Sequence, residues 1–151
     1  MHLKRTSNTH VDFKVLTQHL DAELSSRYGT LQKQYDAHNV IDFLDTALVG
    51  YDETKPIACG CFKVISNDTV EIKRMFVSFE SRRRGFSRAL LGALERWAYE
   101  LGYIKAVLET GKGQPEAIAL YTQCRYERIS NYGVYSGLEN SVCMQKELKE
   151  P

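Results

Sequence analysis

The stretch TVEIKRMFVSFESRRRGFSRALLGALERWAYELG, residues 69–102, decides the fold, because it reads as a strand, a basic turn and a long amphipathic helix. After the turn, apolar residues recur at the i, i+3, i+4 spacing of a helix with one buried face: Phe86, Ala89, Leu90, Ala93, Leu94, Trp97, Ala98 and Leu101. The backbone N–H groups of the first helical turn have no partner inside the helix and lie at the positive end of its dipole. We therefore expect an anion, such as a phosphate group, to bind there.

The turn that precedes this helix combines small residues with arginines. Gly85 and Ser87 let a ligand approach the backbone closely. The arginines can add charge-assisted hydrogen bonds to phosphate oxygens. The predicted phosphate site comprises Arg82, Arg83, Arg84, Gly85, Phe86, Ser87 and Arg88.

The strand before the turn has an irregular apolar pattern. Its apolar positions change phase around Lys73 and Arg74. A β-bulge there explains the change, and a bulge leaves backbone groups of the strand unpaired. A ligand that carries amide groups can bind such a strand as another strand would. Free amides at a strand end, followed by a pyrophosphate site, predict a site for coenzyme A that includes Met75, Phe76 and Val77.

Residues 70–91 resemble the acetyl-CoA-binding motif of the GNAT superfamily of N-acetyltransferases, whose signature is Q/R-x-x-G-x-G/A. This chain has Arg82, Gly85 and Ser87 at the three defined positions, with serine in place of the usual glycine or alanine. The serine is still small, so we expect a tolerated variant of the motif. The resemblance implies acetyl-CoA as the acyl-donor cosubstrate.

A later stretch carries the same resemblance. Gln114-x-x-Ala117-x-x-Leu120-Tyr121 resembles the N-x-x-A-x-x-L-Y helix of the superfamily, with glutamine in place of asparagine. Shortly after it, Arg125 stands where the family has a glycine in a turn. The resemblance covers about residues 47–148 and implies that Gln114 belongs to the coenzyme site.

The apolar patterns and the resemblance together predict one α/β (α+β) domain over residues 1–151. We expect a mixed, mostly antiparallel central sheet with a splayed, bulged fourth strand and flanking helices. The predicted strands are 3–6, 47–51, 57–65, 70–77, 104–109, 126–129 and 141–148, and the predicted helices are 12–28, 86–102 and a helix that begins at Pro115. Residues 52–56 are expected to form a turn, and residues 30–40 a loop or a short helix.

Composition limits the class of protein. The formal charge of +1 and the charged fraction of 26% do not suit a protein that coats nucleic acid or an anionic membrane. The absence of an apolar signal core and of an 18-residue apolar run makes a cytoplasmic location the default expectation. The four cysteines form no C-x-x-C pair, so no metal is expected, and Cys59 and Cys61 are interpreted as buried thiols.

Acetyl transfer from a thioester to an amine needs a base, a donor to the carbonyl oxygen and an acid for the leaving thiolate. Glu71 is the candidate base, as a glutamate in this strand often is in related enzymes. Glu109 at the end of the next strand is the rival base, and a further alternative is that both act together. The alternative for Glu71 is a surface ion pair with Lys73 or Arg74. A backbone N–H of the bulged strand, at Met75 or Val77, is the candidate donor to the carbonyl oxygen.

Tyrosines supply the remaining candidates. Tyr121 is the candidate acid, and the alternative is that its ring only packs against the sheet. Tyr132 and Tyr135 are predicted to line the acceptor pocket, with ordinary loop aromatics as the alternative. In the superfamily the acceptor is selected by loops, here residues 28–46 and 130–141, whose sequence does not identify it.

The predicted function is transfer of the acetyl group of acetyl-CoA to a primary amine of a small molecule or peptide, by direct attack in a ternary complex. The alternative is an inactive acyl-CoA-binding sensor or partner module of the same fold, which the serine at position 87 and the arginine at position 125 would suit. Nucleic-acid binding through residues 82–84 is disfavoured, because the chain lacks a wider basic surface. The sequence does not fix the oligomeric state and leaves a homodimer open.

Overall fold

The structure, a computed structural model, describes residues 1–29 and 42–150. Its strands are β1 (His2–Thr6), β2 (Ala47–Asp52), β3 (Lys55–Val64), β4 (Thr69–Val77), β5 (Lys105–Gly111), β6 (Glu127–Ile129) and β7 (Ser141–Glu147). Its helices are α1 (Val11–Tyr28), α2 (Phe86–Glu100) and α3 (Pro115–Gln123), and single 3-10 turns occur at Phe79–Ser81 and Gly133–Tyr135. The loop or short helix predicted at 30–40 lies outside the described residues.

Within the described part of the chain, the seven strands form one sheet in the order β1-β2-β3-β4-β5-β7-β6. The β4–β5 pair is parallel and the other pairs are antiparallel. The predicted fold class is therefore confirmed. The predicted turn at 52–56 is shorter than expected, because Pro56 lies in β3 opposite Tyr51, next to a register shift after Gly50. A proline has no N–H for the ladder, and such an irregular position tolerates it.

Helices cover both faces of the sheet, and each face has its own core. The α1 face buries Phe13, Leu16, Leu20, Ala47, Val49, Cys59, Cys61 and Phe76. The opposite face packs against α2 and α3, and its core includes Leu48, Phe62, Val70, Ile72, Leu90, Leu91, Leu94, Leu108 and Tyr121. Successive residues of a strand point to opposite faces, which explains why neighbours such as Leu48 and Val49 belong to different cores.

The strands β4 and β5 separate halfway along their length. Their parallel pairing ends at Ile72 and Leu108. Just beyond this point β4 bulges, since Lys73 pairs with Cys61 and Phe76 with Cys59, which leaves two residues of β4 opposite Gly60. The bulge predicted at Lys73 and Arg74 is confirmed, and Arg74 has a φ of 60° in the left-handed region. The result is an opening in the sheet between the two strands, which we call the window.

Two cysteine thiols support the bulge from the α1 face. The thiol of Cys61 donates to the carbonyl of Lys73 and that of Cys59 to the carbonyl of Arg74, each at 3.5 Å. Both side chains are fully buried, and burial raises the pKa of both thiols, that of Cys61 to about 12. The interpretation of both residues as buried thiols is therefore confirmed.

We expect Gly60→Ala to lower the free energy of unfolding by about 1–3 kcal/mol, the usual cost of overpacking a core. A Cβ at Gly60, opposite the bulge, would lie 2.9 Å from Met75 Sδ and 3.0 Å from Leu94 Cδ1. The matched control is Gly92→Ala in α2, where nothing lies within 4 Å of the added carbon. That change should stabilise the protein by roughly 0.5–1 kcal/mol. Urea unfolding of both variants tests the pair, and an unchanged midpoint for Gly60→Ala would contradict the tight packing.

Candidate active site

The window opens into a cavity that residues from every neighbouring element line. β4 contributes Glu71, Ile72, Lys73, Arg74 and Met75, and β5 contributes Glu109, Thr110 and Gly111. Helix α1 adds Leu20, Leu24 and Tyr28, and the remaining lining residues are Gln114, Ala117, Tyr121, Tyr135 and Asn140. The cavity thus joins the predicted base candidates, the predicted acid and one of the two predicted acceptor-site tyrosines.

The titratable groups of the cavity approach the window from opposite faces of the sheet. Glu71 lies between Val70 and Ile72, which belong to the core under α2, so its side chain faces α1. Glu109 follows Leu108 of the same core and also faces α1. Tyr121 comes from α3 on the other face. The two carboxylates and the phenol are therefore separated by the sheet and meet at its opening.

Glu71 is buried and fully engaged. It is 6% exposed, and its Oε1 lies 3.4 Å from Lys73 Nζ. The hydroxyl of Tyr132 donates a hydrogen bond to its Oε2. The alternative ion pair with Lys73 is thus present, but it is buried in the cavity and not on a solvated surface. Burial, and then the neighbouring Glu71 carboxylate, raise the pKa of Tyr132, so this phenol stays a hydrogen-bond donor.

Glu109, the second carboxyl group of the cavity, has its own hydrogen-bond partner. The hydroxyl of Ser141 donates to its Oε2 at 2.8 Å. Burial raises the pKa of Glu109, and the Ser141 hydrogen bond opposes the shift. The nearby carboxylate of Glu71 also raises this pKa, whereas the cation of Lys73 lowers it. A carboxylate with a raised pKa accepts a proton more readily near neutral pH than an ordinary one.

Tyr121 is held by packing. Its side chain is buried and its ring meets the ring of Tyr126 edge to face, with centroids 5.8 Å apart. Burial raises the pKa of Tyr121, so its hydroxyl remains protonated. Within residues 1–29 and 42–150 this hydroxyl has no hydrogen-bond partner, and the residue lines the cavity. The structure therefore places a protonated phenol at the window.

The N-terminus of α2 is open to a ligand. Gly85 is the N-cap residue, with a φ of 79°. Among residues 1–29 and 42–150, no side chain caps the helix and no atom lies within 4 Å of the position that a Cβ on Gly85 would occupy. Ser87 and Phe86 follow in the first helical turn. The N–H groups of this turn can thus be approached by an anion without displacing protein atoms.

The model of the acetyltransferase (GNAT) family matches residues 13–126. This chain belongs to the GNAT acetyltransferase family. Human N-acetyltransferase 8 is 27% identical over 120 residues, which are 76% of this chain and 51% of that protein. The chain therefore spans about half the length of this curated relative.

Solved structures of similar proteins have the same architecture. One from Klebsiella pneumoniae, described as an acyl-CoA N-acyltransferase, superimposes with a TM-score of 0.81 at 28% identity, covering 98% of this chain and 97% of that chain. The PaiA N-acetyltransferase of Thermoplasma acidophilum, solved with coenzyme A, gives a TM-score of 0.71 at 14% identity over 97% and 98% of the two chains. The latter likeness concerns the fold alone.

The GNAT coenzyme fits the groups that this chain presents. The open turn at Gly85 offers backbone donors for a pyrophosphate. Beyond Ile72 the edge of β4 that faces β5 has no strand partner in the part of the chain that the structure describes, which suits an extended chain of amides. Met75 lines the cavity next to this edge, while Phe76 packs on the α1 side and Val77 ends the strand.

The four arginines in and after the GNAT motif differ in their contacts. Arg82 contacts α1, whereas Arg84 and Arg88 contact residues of α2 and α3. The guanidinium of Arg82 binds both carboxylate oxygens of Glu23 in α1, at 2.9 and 2.7 Å, and its Nε donates to the carbonyl of Val77. Arg84 lies 4.7 Å from the centroid of the Phe86 ring, and Arg88 donates to Gln123 at 3.0 Å. Arg83 follows in the same turn with a left-handed φ of 63°. Arg82 thus ties the turn to α1, and the other three lie at the start of α2.

Two contacts at this GNAT site cannot be predicted from the sequence alone. Tyr28 ends α1 and donates to Gln114 Oε1 at 3.2 Å, and Ser141 binds Glu109. Both contacts span more than 30 residues of sequence. The pair Gly111 and Gly113 is the one local signal, because these glycines leave the space that Tyr28 fills.

The helices in the described part of the chain are too short or too polar to span a membrane.

Proposed function

We propose that this chain is an acetyl-CoA-dependent N-acetyltransferase that acetylates a primary amine of a small molecule or peptide in a ternary complex. The observation that carries the proposal is the placement of the carboxylates and the phenol on opposite faces of the sheet at one window. A proton acceptor is needed where the amine arrives and a proton donor where the thiolate leaves. The carboxylates on one side of the window and the phenol on the other support this division of roles.

Acetyl-CoA, when bound, supplies an activated acetyl thioester. The N–H groups of the first turn of α2, with Arg83, Arg84 and Arg88, are the groups that would hold the pyrophosphate. The free edge of β4 at residues 75–77 would hold the amides of the coenzyme, together with Gln114. A backbone N–H of Met75 or Val77 would donate to the carbonyl oxygen, where negative charge develops.

We assign the two carboxylates different roles. Glu71 lies 3.4 Å from Lys73 Nζ and accepts a hydrogen bond from Tyr132, so its carboxyl group is fixed in a position that suits it to attract and orient an ammonium group. Glu109 has one hydrogen bond from Ser141 and a pKa raised by burial, which suits it to take the proton. The reaction then needs no movement of the Glu71 cluster.

The proton count of the transfer balances through these side chains. Glu109 takes a proton from the ammonium group, and the free amine forms the new N–C bond as the C–S bond breaks. Tyr121 donates its proton to the departing sulfur, and the second proton of the attacking nitrogen returns to the phenolate through solvent. Glu109 releases its proton to solvent, so one ammonium and one thioester give one amide, one thiol and one proton.

We expect saturating acetyl-CoA to raise the melting temperature. Ligand at 100 times its Kd stabilises the folded state by about 2.7 kcal/mol, or roughly 5–10 °C for a chain of this size. Gly85→Asp should abolish the rise, because it places a side chain and a negative charge at the open turn. Gly137→Asp is the matched control, since Gly137 has a φ of 80° and is equally uncrowded. If acetyl-CoA raised the melting temperature of neither variant, the cause would be backbone strain at the substituted glycine, and the test would not support a phosphate site at Gly85.

A thiol-release assay with a panel of amines tests turnover itself. The panel should include alkylamines, arylalkylamines, polyamines, amino acids and peptides. Release that depends on both acetyl-CoA and an amine supports the transferase. A thermal shift without release from any amine would favour the sensor alternative.

A further inference from the structure

The α1 side of the cavity is apolar. Leu20, Leu24 and Tyr28 stand four residues apart on α1, so they form a single stripe along the helix. All three line the cavity that Glu71 and Glu109 enter from the sheet. An amine that reaches the carboxylates from this side therefore passes along a wall of two leucines and an aromatic ring.

The end of this wall is fixed in position by the loop after β5. A Cβ on Gly111 would lie 2.1 Å from the hydroxyl oxygen of Tyr28, and one on Gly113 would lie 2.7 Å from its ring. The tyrosine thus occupies space that only glycines leave open. Next to it, Arg27 donates to the carbonyl of Gly113 at 3.4 Å and forms an ion pair with Glu116. The wall is anchored to the sheet and has a defined shape.

The opposite side of the cavity is aromatic, and the floor is acidic. Tyr135 lines the cavity, and its ring meets that of Tyr132 edge to face with centroids 5.6 Å apart. On the floor, the ammonium group of Lys73 lies 3.4 Å from Glu71 and donates to the hydroxyl of Tyr135 at 3.2 Å, so this cation is bound by protein groups.

The guanidinium of Arg74 is also committed within the protein. It donates to Asp21 at 2.8 Å and to the carbonyl of Thr17 at 3.1 Å. Both cations that line the cavity in the described residues, Lys73 and Arg74, are therefore engaged by protein groups. A substrate carboxylate would have to compete with these contacts beside two glutamates.

We infer that the acceptor is a primary amine carried on an apolar or aromatic group that has no carboxylate next to the amine; this inference rests on the proposed function. The wall and the tyrosines gain free energy by burying apolar surface of the acceptor. The two glutamates attract its ammonium group and repel a carboxylate, which gives discrimination by repulsion as well as by attraction. Leu24 and Tyr28 are the residues that select the apolar group.

Three acceptors that differ by one group each test the inference. 2-Phenylethylamine and ethylamine differ by the ring, and 2-phenylethylamine and phenylalanine differ by the carboxylate. We expect kcat/KM in thiol release to be at least about tenfold higher for 2-phenylethylamine than for either of the others, a discrimination within reach of an apolar pocket. Equal or higher kcat/KM for ethylamine or phenylalanine would overturn the inference about the acceptor, and the proposed acetyltransferase function would still stand. No release with any amine in the wider panel overturns both.

A variant locates the selectivity on α1. Leu24→Ala should lower the ratio of kcat/KM for 2-phenylethylamine to kcat/KM for ethylamine roughly tenfold, mainly through a higher KM for 2-phenylethylamine. The matched control is Val15→Ala on the same helix, because Val15 is 39% exposed and does not line the cavity. An equal loss with both amines, or with both variants, would show that the stripe does not select the acceptor.

Discussion

Tyr121→Phe is expected to lower kcat by about 10²–10⁴-fold, the usual contribution of a general acid, if the chemical step limits the rate. The change keeps the ring and its edge-to-face contact with Tyr126 and removes the proton that the departing thiolate needs. Acetyl-CoA should still raise the melting temperature, because the groups at the start of α2 are untouched. Steady-state thiol release and a thermal shift on the same preparation measure both effects.

Tyr126→Phe is the matched control for this experiment. The hydroxyl of Tyr126 donates to Glu95 of α2 at 2.8 Å, and Tyr126 is not among the residues that line the cavity. Its removal should cost about 1.5–3 kcal/mol of stability, as for other hydrogen bonds to charged groups, and leave kcat unchanged. A Tyr121→Phe variant that behaves in the same way would show that Tyr121 only packs. A loss of only a few-fold calls for single-turnover kinetics, since product release then masks the chemistry.

Glu109→Gln is expected to lower kcat/KM by about 10²–10⁴-fold, because the amide cannot accept the ammonium proton. Glu71→Gln should act mainly on binding and raise KM for the amine, since Glu71 orients the substrate in the proposed mechanism. Both replacements keep the size of the side chain. Kinetics with 2-phenylethylamine or the best amine of the panel separate the two roles.

The pH dependence gives an independent readout. A carboxylate whose pKa is raised becomes protonated at a higher pH than an ordinary glutamate, and only its ionised form acts as a base. The kcat/KM of the wild type should therefore fall as the pH decreases through the raised pKa of Glu109. The residual activity of Glu109→Gln should lack this acidic limb, and that of Glu71→Gln should keep it. If Glu71→Gln lost the acidic limb and Glu109→Gln kept it, Glu71 would be the base and Glu109 the group that orients the amine.

Local patterns predict most of the fold. The phase change at Lys73 and Arg74 indicates the bulge because the apolar alternation of a strand is visible within a few residues. The helix after Gly85 is also predicted from a local pattern, the i, i+3, i+4 spacing of its apolar residues. The observed helix, Phe86–Glu100, differs from the predicted one only in where its last turn ends. The short β2–β3 connection is predicted less well, because a register shift that admits Pro56 depends on the partner strand.

The site is less visible in the sequence, because its contacts join distant segments. Glu71 and Tyr132 are 61 residues apart, and they meet because β7 pairs with β5, which brings the loop between β6 and β7 to the end of β5. The spacing to Gly85 places Arg82 in the phosphate motif, yet its guanidinium binds Glu23, 59 residues earlier. The phosphate role of the motif arginines stays a prediction. No local pattern distinguishes an arginine that binds a ligand from one that binds a helix.

The two cores of the sheet have a consequence for how such a protein diversifies. In the proposed function, the groups for the coenzyme lie on the side of α2 and α3, and the groups for the acceptor lie on the side of α1, over a core that contains fewer buried residues. We therefore expect substitutions at the α1 positions that line the cavity, such as Leu20 and Leu24, to change the choice of amine while acetyl-CoA still binds. Glu23 is the α1 position that such changes have to spare, because it holds Arg82 of the turn before α2.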